Sequence, residues 1–256
     1  MKLAFRKFGE GKALLILHGL FGQSDNWNTL AKQFSEQNFE VFTIDLRNHG
    51  LSPHHQVWDY EVMASDIYEF IHDYNIQHPI LLGHSMGGKV AMNFALNYDD
   101  LLLDKLIVAD IAPVQYPAHH HEVLHALNAV DFNLVKSRKE VEEILANSIH
   151  DFGTRQFLLK NIYWENSAEN KMNWRFNLKV ITEKYNEILS EVNHKSSLVN
   201  TLFIRGEKSN YILDEHIDDI TERFPNSKLV TIQNAGHWVH AEQPKLFFDE
   251  VMKFIL

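Results

Sequence analysis

Short, uninterrupted apolar runs at residues 13–17, 39–44, 80–82 and 106–108 alternate with stretches whose apolar residues fall at helical spacing. Runs of this kind suit parallel strands buried on both faces, which read as continuous because neither side meets water. Between the first two runs, Ser24 or Asp25 is placed to cap a helix reaching about Gln37. After Asp59, the residues Met63, Ile67, Phe70, Ile71 and Tyr74 share one helical stripe, and a third helix is expected from Met86 to about Tyr98. Strand–helix alternation predicts an α/β fold, a mostly parallel sheet with helices on both faces.

The rhythm breaks after Pro113. Charged, helix-forming stretches such as 139–147 and 180–192 replace the strand runs. Alternation then resumes, with strands expected at 201–204 and 229–232, a helix over 211–223 and a closing helix led in by Pro244. The expected organisation is one core, residues 1–113 and 197–256, carrying a helical insertion over 114–196. A chain of 256 residues is long enough to bury the core of one such domain.

Composition removes several chemistries. There is no cysteine, which excludes disulfides, thiolate catalysis and cysteine-held zinc or iron–sulfur centres, and fits a cytoplasmic location. The formal charge of −10 argues against a nucleic-acid partner. No apolar run reaches the ~18 residues of a membrane span, and the N-terminus lacks a signal-peptide pattern. Sixteen histidines are left to explain.

The sharpest motif is Gly83-His84-Ser85-Met86-Gly87, directly after the run 80–82 and directly before a helical pattern. G-x-S-x-G between strand and helix places the serine on a strained turn, its hydroxyl raised above the sheet. The helix behind it aims N–H groups and the positive end of its dipole at developing negative charge. A serine hydroxyl needs a base. His237, in Asn234-Ala235-Gly236-His237-Trp238 after the last expected strand, lies at the same sheet edge. The backbone N–H groups of Leu20, in His18-Gly19-Leu20-Phe21-Gly22, and of Met86 are the expected oxyanion donors. His18 itself reads as a structural residue of its turn.

Taken together, these motifs resemble the α/β-hydrolases over essentially the whole chain. Three segments make the likeness narrower: Arg47-Asn48-His49-Gly50-Leu51-Ser52-Pro53, Gly83 through Gly88 with Lys89, and Asp110-Ile111-Ala112-Pro113-Val114. They resemble the small bacterial YbfF-type carboxylesterases, which implies activity on short acyl esters and some acyl-CoA thioesters, with no metal or organic cofactor. One departure matters. The commonest family pattern has the triad acid in a Gly-x-x-Asp turn after the strand at 201–204, and here that turn reads Gly206-Glu207-Lys208-Ser209. Asp110, at the tip of the strand 106–108, is the replacement, because a carboxylate from a neighbouring strand end reaches the same imidazole. The resemblance implies the same, with Ser209 as an auxiliary hydrogen-bond partner of the histidine. Glu207 and Asp214 stay open as alternatives, and Asp45 reads as structural.

A competing motif is His121-Glu122-Val123-Leu124-His125, which matches H-E-x-x-H, with Glu142 or Glu143 as a distant third ligand. It falls inside the insertion, away from any strand edge, and with His119 and His120 reads as lid surface or lining. Of the insertion's aromatics, Phe132, Phe152, Phe157, Tyr163, Trp164, Trp174 and Phe176 are candidates for an acyl pocket or for the lid's own core. The expected reaction is hydrolysis of carboxylic esters or acyl thioesters of small to medium acyl groups, with Ser85, His237 and Asp110 as the catalytic residues. C–C bond hydrolysis on the same scaffold, or ligand binding with little turnover, are the alternatives.

Overall fold

The computed structural model describes residues 1–98, 103–166 and 171–256. A short edge strand, β1 (Phe5–Phe8), precedes the first expected run and pairs antiparallel with the strand Phe39–Ile44. Its two central residues, Arg6 and Lys7, are exposed, so it carries no apolar run to read. The expected runs follow as β2 (Lys12–Leu17), β3 (Phe39–Ile44), β4 (Ile80–His84) and β5 (Lys105–Ala109). After Lys12 every residue of β2 is buried, as is every residue of β4, which accounts for their unbroken apolar character.

Helix α1 (Asn28–Ser35) is entered through a 3₁₀ turn, Ser24–Trp27. The capping position of that turn is Gln23, not Ser24 or Asp25, and the Gln23 N–H donates to Asn26 Oδ1 at 2.8 Å. Helices α2 (Tyr60–Asp73) and α3 (Met86–Asn97) follow β3 and β4. The insertion then supplies α4 (His121–Asn128), α5 (Arg138–Ala146), α6 (Phe152–Leu159), a hairpin of β6 (Ile162–Asn166) and β7 (Lys171–Trp174), and α7 (Leu178–Glu183). The core resumes with β8 (Thr201–Gly206), α8 (Ile217–Arg223), β9 (Ser227–Ile232), α9 (Val239–Glu242) and α10 (Pro244–Ile255).

Among the described residues the large sheet has the order β1-β3-β2-β4-β5-β8-β9, all parallel except β1. Alternate strand residues feed opposite cores. Leu15, Leu17 and Leu81 pack with α2 and α3, whereas Leu14, Ile16 and Leu82 pack with α1 and α10.

Three expectations are corrected. The insertion over 114–196 is not wholly helical: β6 and β7 pair antiparallel, with Ile162 opposite Trp174. Met172 and Trp174 are buried while Lys171 and Asn173 are exposed, a period of two too short to stand out from its surroundings. The stretch 180–192 is broken after α7, continuing as a 3₁₀ turn, Tyr185–Leu189. The helix expected over 211–223 begins only at Ile217, after a 3₁₀ turn at Asp214–His216, which leaves Tyr211 on a loop. Among the described residues no helix is long and apolar enough to cross a membrane.

The two ends of the insertion are tied together. The Tyr116 N–H donates to Leu189 O at 2.8 Å, and the Val192 N–H to Pro113 O at 3.1 Å. Lys89, fully buried on α3, donates through Nζ to Val114 O at 2.7 Å and to Ser190 O, and its ammonium lies 4.8 Å from the centre of the Tyr116 ring.

Candidate active site

In the sheet order the carboxyl ends of β2, β4, β5, β8 and β9 are successive neighbours. The loops after them therefore bring Leu20, Ser85, Asp110, Ser209 and His237 to one edge, where parallel α/β sheets gather their ligands.

Ser85 sits between β4 and α3 at φ 53° and ψ −120°, a strained conformation for a residue with a side chain. The flanking glycines are required by close approach. A Cβ on Gly83 would lie 2.2 Å from Gly87 O, and one on Gly87 would lie 2.5 Å from Leu17 O. The sharp turn can thus close only when both positions lack side chains.

His237 Nε2 lies 3.0 Å from Ser85 Oγ, and Nδ1 lies 2.7 Å from Asp110 Oδ2. A carboxylate can only accept, so Nδ1 carries the proton and Nε2 is left to accept from the Ser85 hydroxyl. Asp110 is fully buried and receives two further donors, the Gly206 N–H on Oδ1 at 3.0 Å and the Ser209 hydroxyl on Oδ2. Ser209 is accordingly a partner of the carboxylate and not of the histidine. Its oxygen also accepts the Tyr211 N–H at 3.2 Å, which turns its proton towards Asp110. Burial raises the Asp110 pKa from 3.8 to about 6, opposed by the Ser209 and Gly206 hydrogen bonds. Burial lowers the His237 pKa from its ordinary 6.5, and nearby His119 acts in the same direction.

The alternative acids are engaged elsewhere. Glu207 accepts the Asn234 N–H at 2.8 Å, and Asp214 pairs with Arg205 at 2.6 Å while largely exposed. Asp45 accepts the N–H groups of Ser24 and Leu51, the structural part expected of it.

Met86 opens α3, so its N–H has no intrahelical acceptor. In the turn after β2, Gly22 N–H donates to Gly19 O and Phe21 N–H to His49 Nε2. Leu20 stands outside those bonds and borders the same cavity as Ser85. His18 fixes that turn: Nδ1–H donates to Gly19 O, and Nε2 accepts the Leu46 N–H at 3.0 Å. Burial lowers its pKa to about 4, so it is a neutral structural group.

Above Ser85 lies a cavity of about 280 Å³, lined on its apolar side by Leu20, Val123, Phe157, Leu158 and Trp238. Of the seven insertion aromatics, only Phe157 reaches it. Trp174 and Phe176 are buried and stacked on each other at 5.2 Å, and Phe132 packs edge-on to Trp174. Tyr163 borders a separate groove, while Phe152 and Trp164 are exposed.

The family model described as the alpha/beta hydrolase fold matches residues 12–141. The chain is 34% identical over 243 residues to Esterase YbfF of Escherichia coli strain K12, covering 94% of this chain and 92% of that protein. This chain belongs to the α/β-hydrolase family. The hydrolase is also 35% identical over 251 residues to the sn-1-specific diacylglycerol lipase ABHD11 of Mus musculus, covering 95% and 80% of the two chains. A solved structure described as a marine microorganism esterase superposes with a TM-score of 0.95 at 42% identity, over 99% of each chain.

Several further groups of this hydrolase act on the site through contacts that the sequence pattern does not report. The Tyr211 ring stacks on His237 with centroids 3.8 Å apart and planes at 18°. Glu242 accepts the N–H groups of Gly236 and Trp238, bracketing the loop that carries His237. His84 donates Nε2–H to the His237 carbonyl at 2.9 Å. The H-E-x-x-H histidines, His121 and His125, border a groove with Glu183 and Asn186 that Ser85 does not line. Among the described residues no group of three His, Asp or Glu side chains is arranged to hold a metal.

Proposed function

We propose that this ester-bond hydrolase cleaves carboxylic esters or acyl thioesters of small to medium acyl groups through an acyl-enzyme at Ser85. The observation that carries the reading is the unbroken chain of hydrogen bonds from Ser85 Oγ through His237 to Asp110. In this mechanism Ser85 Oγ attacks the acyl carbon as its proton passes to His237 Nε2. The Leu20 and Met86 N–H groups hold the oxyanion, and Asp110 offsets the charge on the imidazolium. His237 returns the proton to the departing alcohol or thiol. Water, activated by the same nitrogen, then releases the acid and restores Ser85. No step calls for a metal or an organic cofactor.

The insertion acts as a lid, supplying Val123, Phe157 and Leu158 to the acyl side of the cavity. A cavity of about 280 Å³ is roughly nine water volumes, which supports short acyl chains. Ser85→Ala should abolish turnover of p-nitrophenyl acetate, and a serine-directed organophosphate should add its mass to the wild type and not to the variant. Most of the activity surviving in Ser85→Ala would overturn the nucleophile assignment.

A further inference from the structure

Beside the cavity lies a pair of histidines that the reaction scheme leaves unused. His119 and His120 precede α4 with ring centroids 4.1 Å apart, and hydrogen bonding sets them in opposite tautomers. His119 Nδ1–H donates to Pro117 O at 2.7 Å, so its Nε2 accepts the Tyr211 hydroxyl at 2.5 Å. For His120 the Tyr185 hydroxyl decides. That oxygen accepts the backbone N–H groups of His119 at 3.4 Å and His120 at 3.1 Å, which occupies both lone pairs. Its own hydrogen is then directed to His120 Nδ1, 2.7 Å away. The His120 proton must sit on Nε2. Burial lowers the pKa of this imidazole to about 3, so it is neutral and offers one donor. Among the described residues Nε2 has no protein partner, yet it is not one of the buried unpartnered atoms, so it stays open to the space around it. His120 lines the cavity that contains Ser85 and His237.

We infer that His120 is a specificity-determining residue, its Nε2–H donating to an uncharged acceptor oxygen that the substrate carries close to its scissile ester. A carbonyl, ether or hydroxyl oxygen, on either the acyl or the alcohol part, meets that description. The insertion's other lining residues are Val123, Phe157 and Leu158, which are apolar, and Thr154, whose hydroxyl is already given to Asp151 at 2.8 Å. A plain alkyl chain bound there would cover the N–H without pairing it, which penalises such substrates relative to those carrying the oxygen. The inference rests on ester hydrolysis at Ser85 as proposed above.

Two matched pairs of esters test it. On the acyl side, p-nitrophenyl methoxyacetate is compared with p-nitrophenyl butyrate; on the alcohol side, 2-methoxyethyl butyrate is compared with butyl butyrate. Within each pair one methylene is exchanged for oxygen, and the quantity read is the ratio of kcat/KM, ether over alkyl. His120→Phe, which keeps a ring and removes the donor, should lower that ratio about tenfold in at least one pair. The pair that responds identifies the side. Tyr185→Phe, which frees the tautomer, should lower the same ratio by a smaller factor. Because each ratio is internal to one variant, a general loss of activity or folded protein does not move it. Ratios unmoved in both pairs would overturn the assignment of His120. Ser85→Ala on the same esters keeps the two claims apart: turnover surviving there would overturn the serine mechanism instead.

Discussion

Three donors converge on the Asp110 carboxylate: the Gly206 N–H, the Ser209 hydroxyl and the His237 Nδ1–H. A fully buried carboxylate needs them, because desolvation alone favours its neutral form and has already raised its pKa to about 6. Held ionised at neutral pH, it fixes the His237 tautomer and supplies the negative charge that an imidazolium at that position requires. Asp110→Asn keeps the shape but removes the charge, and it offers an amide where only an acceptor serves. We expect kcat to fall roughly a thousand- to ten-thousand-fold with KM little changed. Glu207→Gln, which touches only the loop at Asn234, should stay within a few-fold of the wild type. Steady-state kinetics on p-nitrophenyl acetate checks both; the opposite ranking would move the acid to Glu207.

Helix α3 joins Ser85 to the insertion. Ser85 precedes its first residue, and one turn later Lys89 reaches away from the sheet to hold both ends of the insertion through Val114 O and Ser190 O. Burial lowers the Lys89 pKa to about 7, yet its acceptors and the Tyr60 and Tyr116 rings are arranged for a cation. Lys89→Met should leave those carbonyls unpaired and lower stability by about 1–3 kcal/mol in urea unfolding. Limited proteolysis should also cut first within residues 114–196; unchanged stability and cleavage would show that the insertion does not depend on this tie. At the same scale one sees what a linear reading can reach. The turn at Ser85 was legible because only a glycine-flanked residue between an apolar run and a helix can make it. Asp110 and His237 were legible because both stand one or a few residues beyond a strand. The Tyr211 stack on His237 and the Glu242 bonds to its loop were not, since each is a tertiary contact that no periodicity reports, and His120 was legible as a lining residue of the insertion but not in its tautomer. Ser209 is legible as a residue of the turn beside the histidine, but its partner is Asp110 and not His237, because the direction of a hydroxyl depends on the Tyr211 N–H behind it. The hairpin of β6 and β7 escaped for want of length, its alternation being confined to four residues in β7.

Across the whole molecule the abundance of histidine has a thermodynamic consequence. Six of the sixteen, His18, His49, His84, His120, His237 and His240, have their pKa lowered, chiefly by burial, to about 4 or less or, for His240, well below 6.5. His240 is stacked on Trp27 at 4.1 Å, and its buried Nδ1 has no partner among the described residues. In the unfolded chain such groups titrate near 6.5. Between about pH 6.5 and 4 the unfolded state therefore binds protons that the folded state refuses, and stability falls as the pH drops. Asp110 acts in the opposite sense, since its folded pKa is raised and the folded state gains a proton between 3.8 and about 6. Lys89, lowered from 10.5 to about 7, extends the main trend to alkaline pH by a single proton. In the acid range the unfolded state therefore holds a net excess of several protons, each worth about 1.4 kcal/mol per pH unit. A few such protons over one or two pH units match the stability of an ordinary domain, about 5–15 kcal/mol. Thermal unfolding should thus change gently with pH above about 7, fall steeply below about 6.5, and give way to unfolding at room temperature before about pH 4. A melting temperature that held steady from about pH 7 to pH 4.5 would mean these imidazoles take up protons without unfolding, and that the histidine-rich interior is not held together in the neutral form.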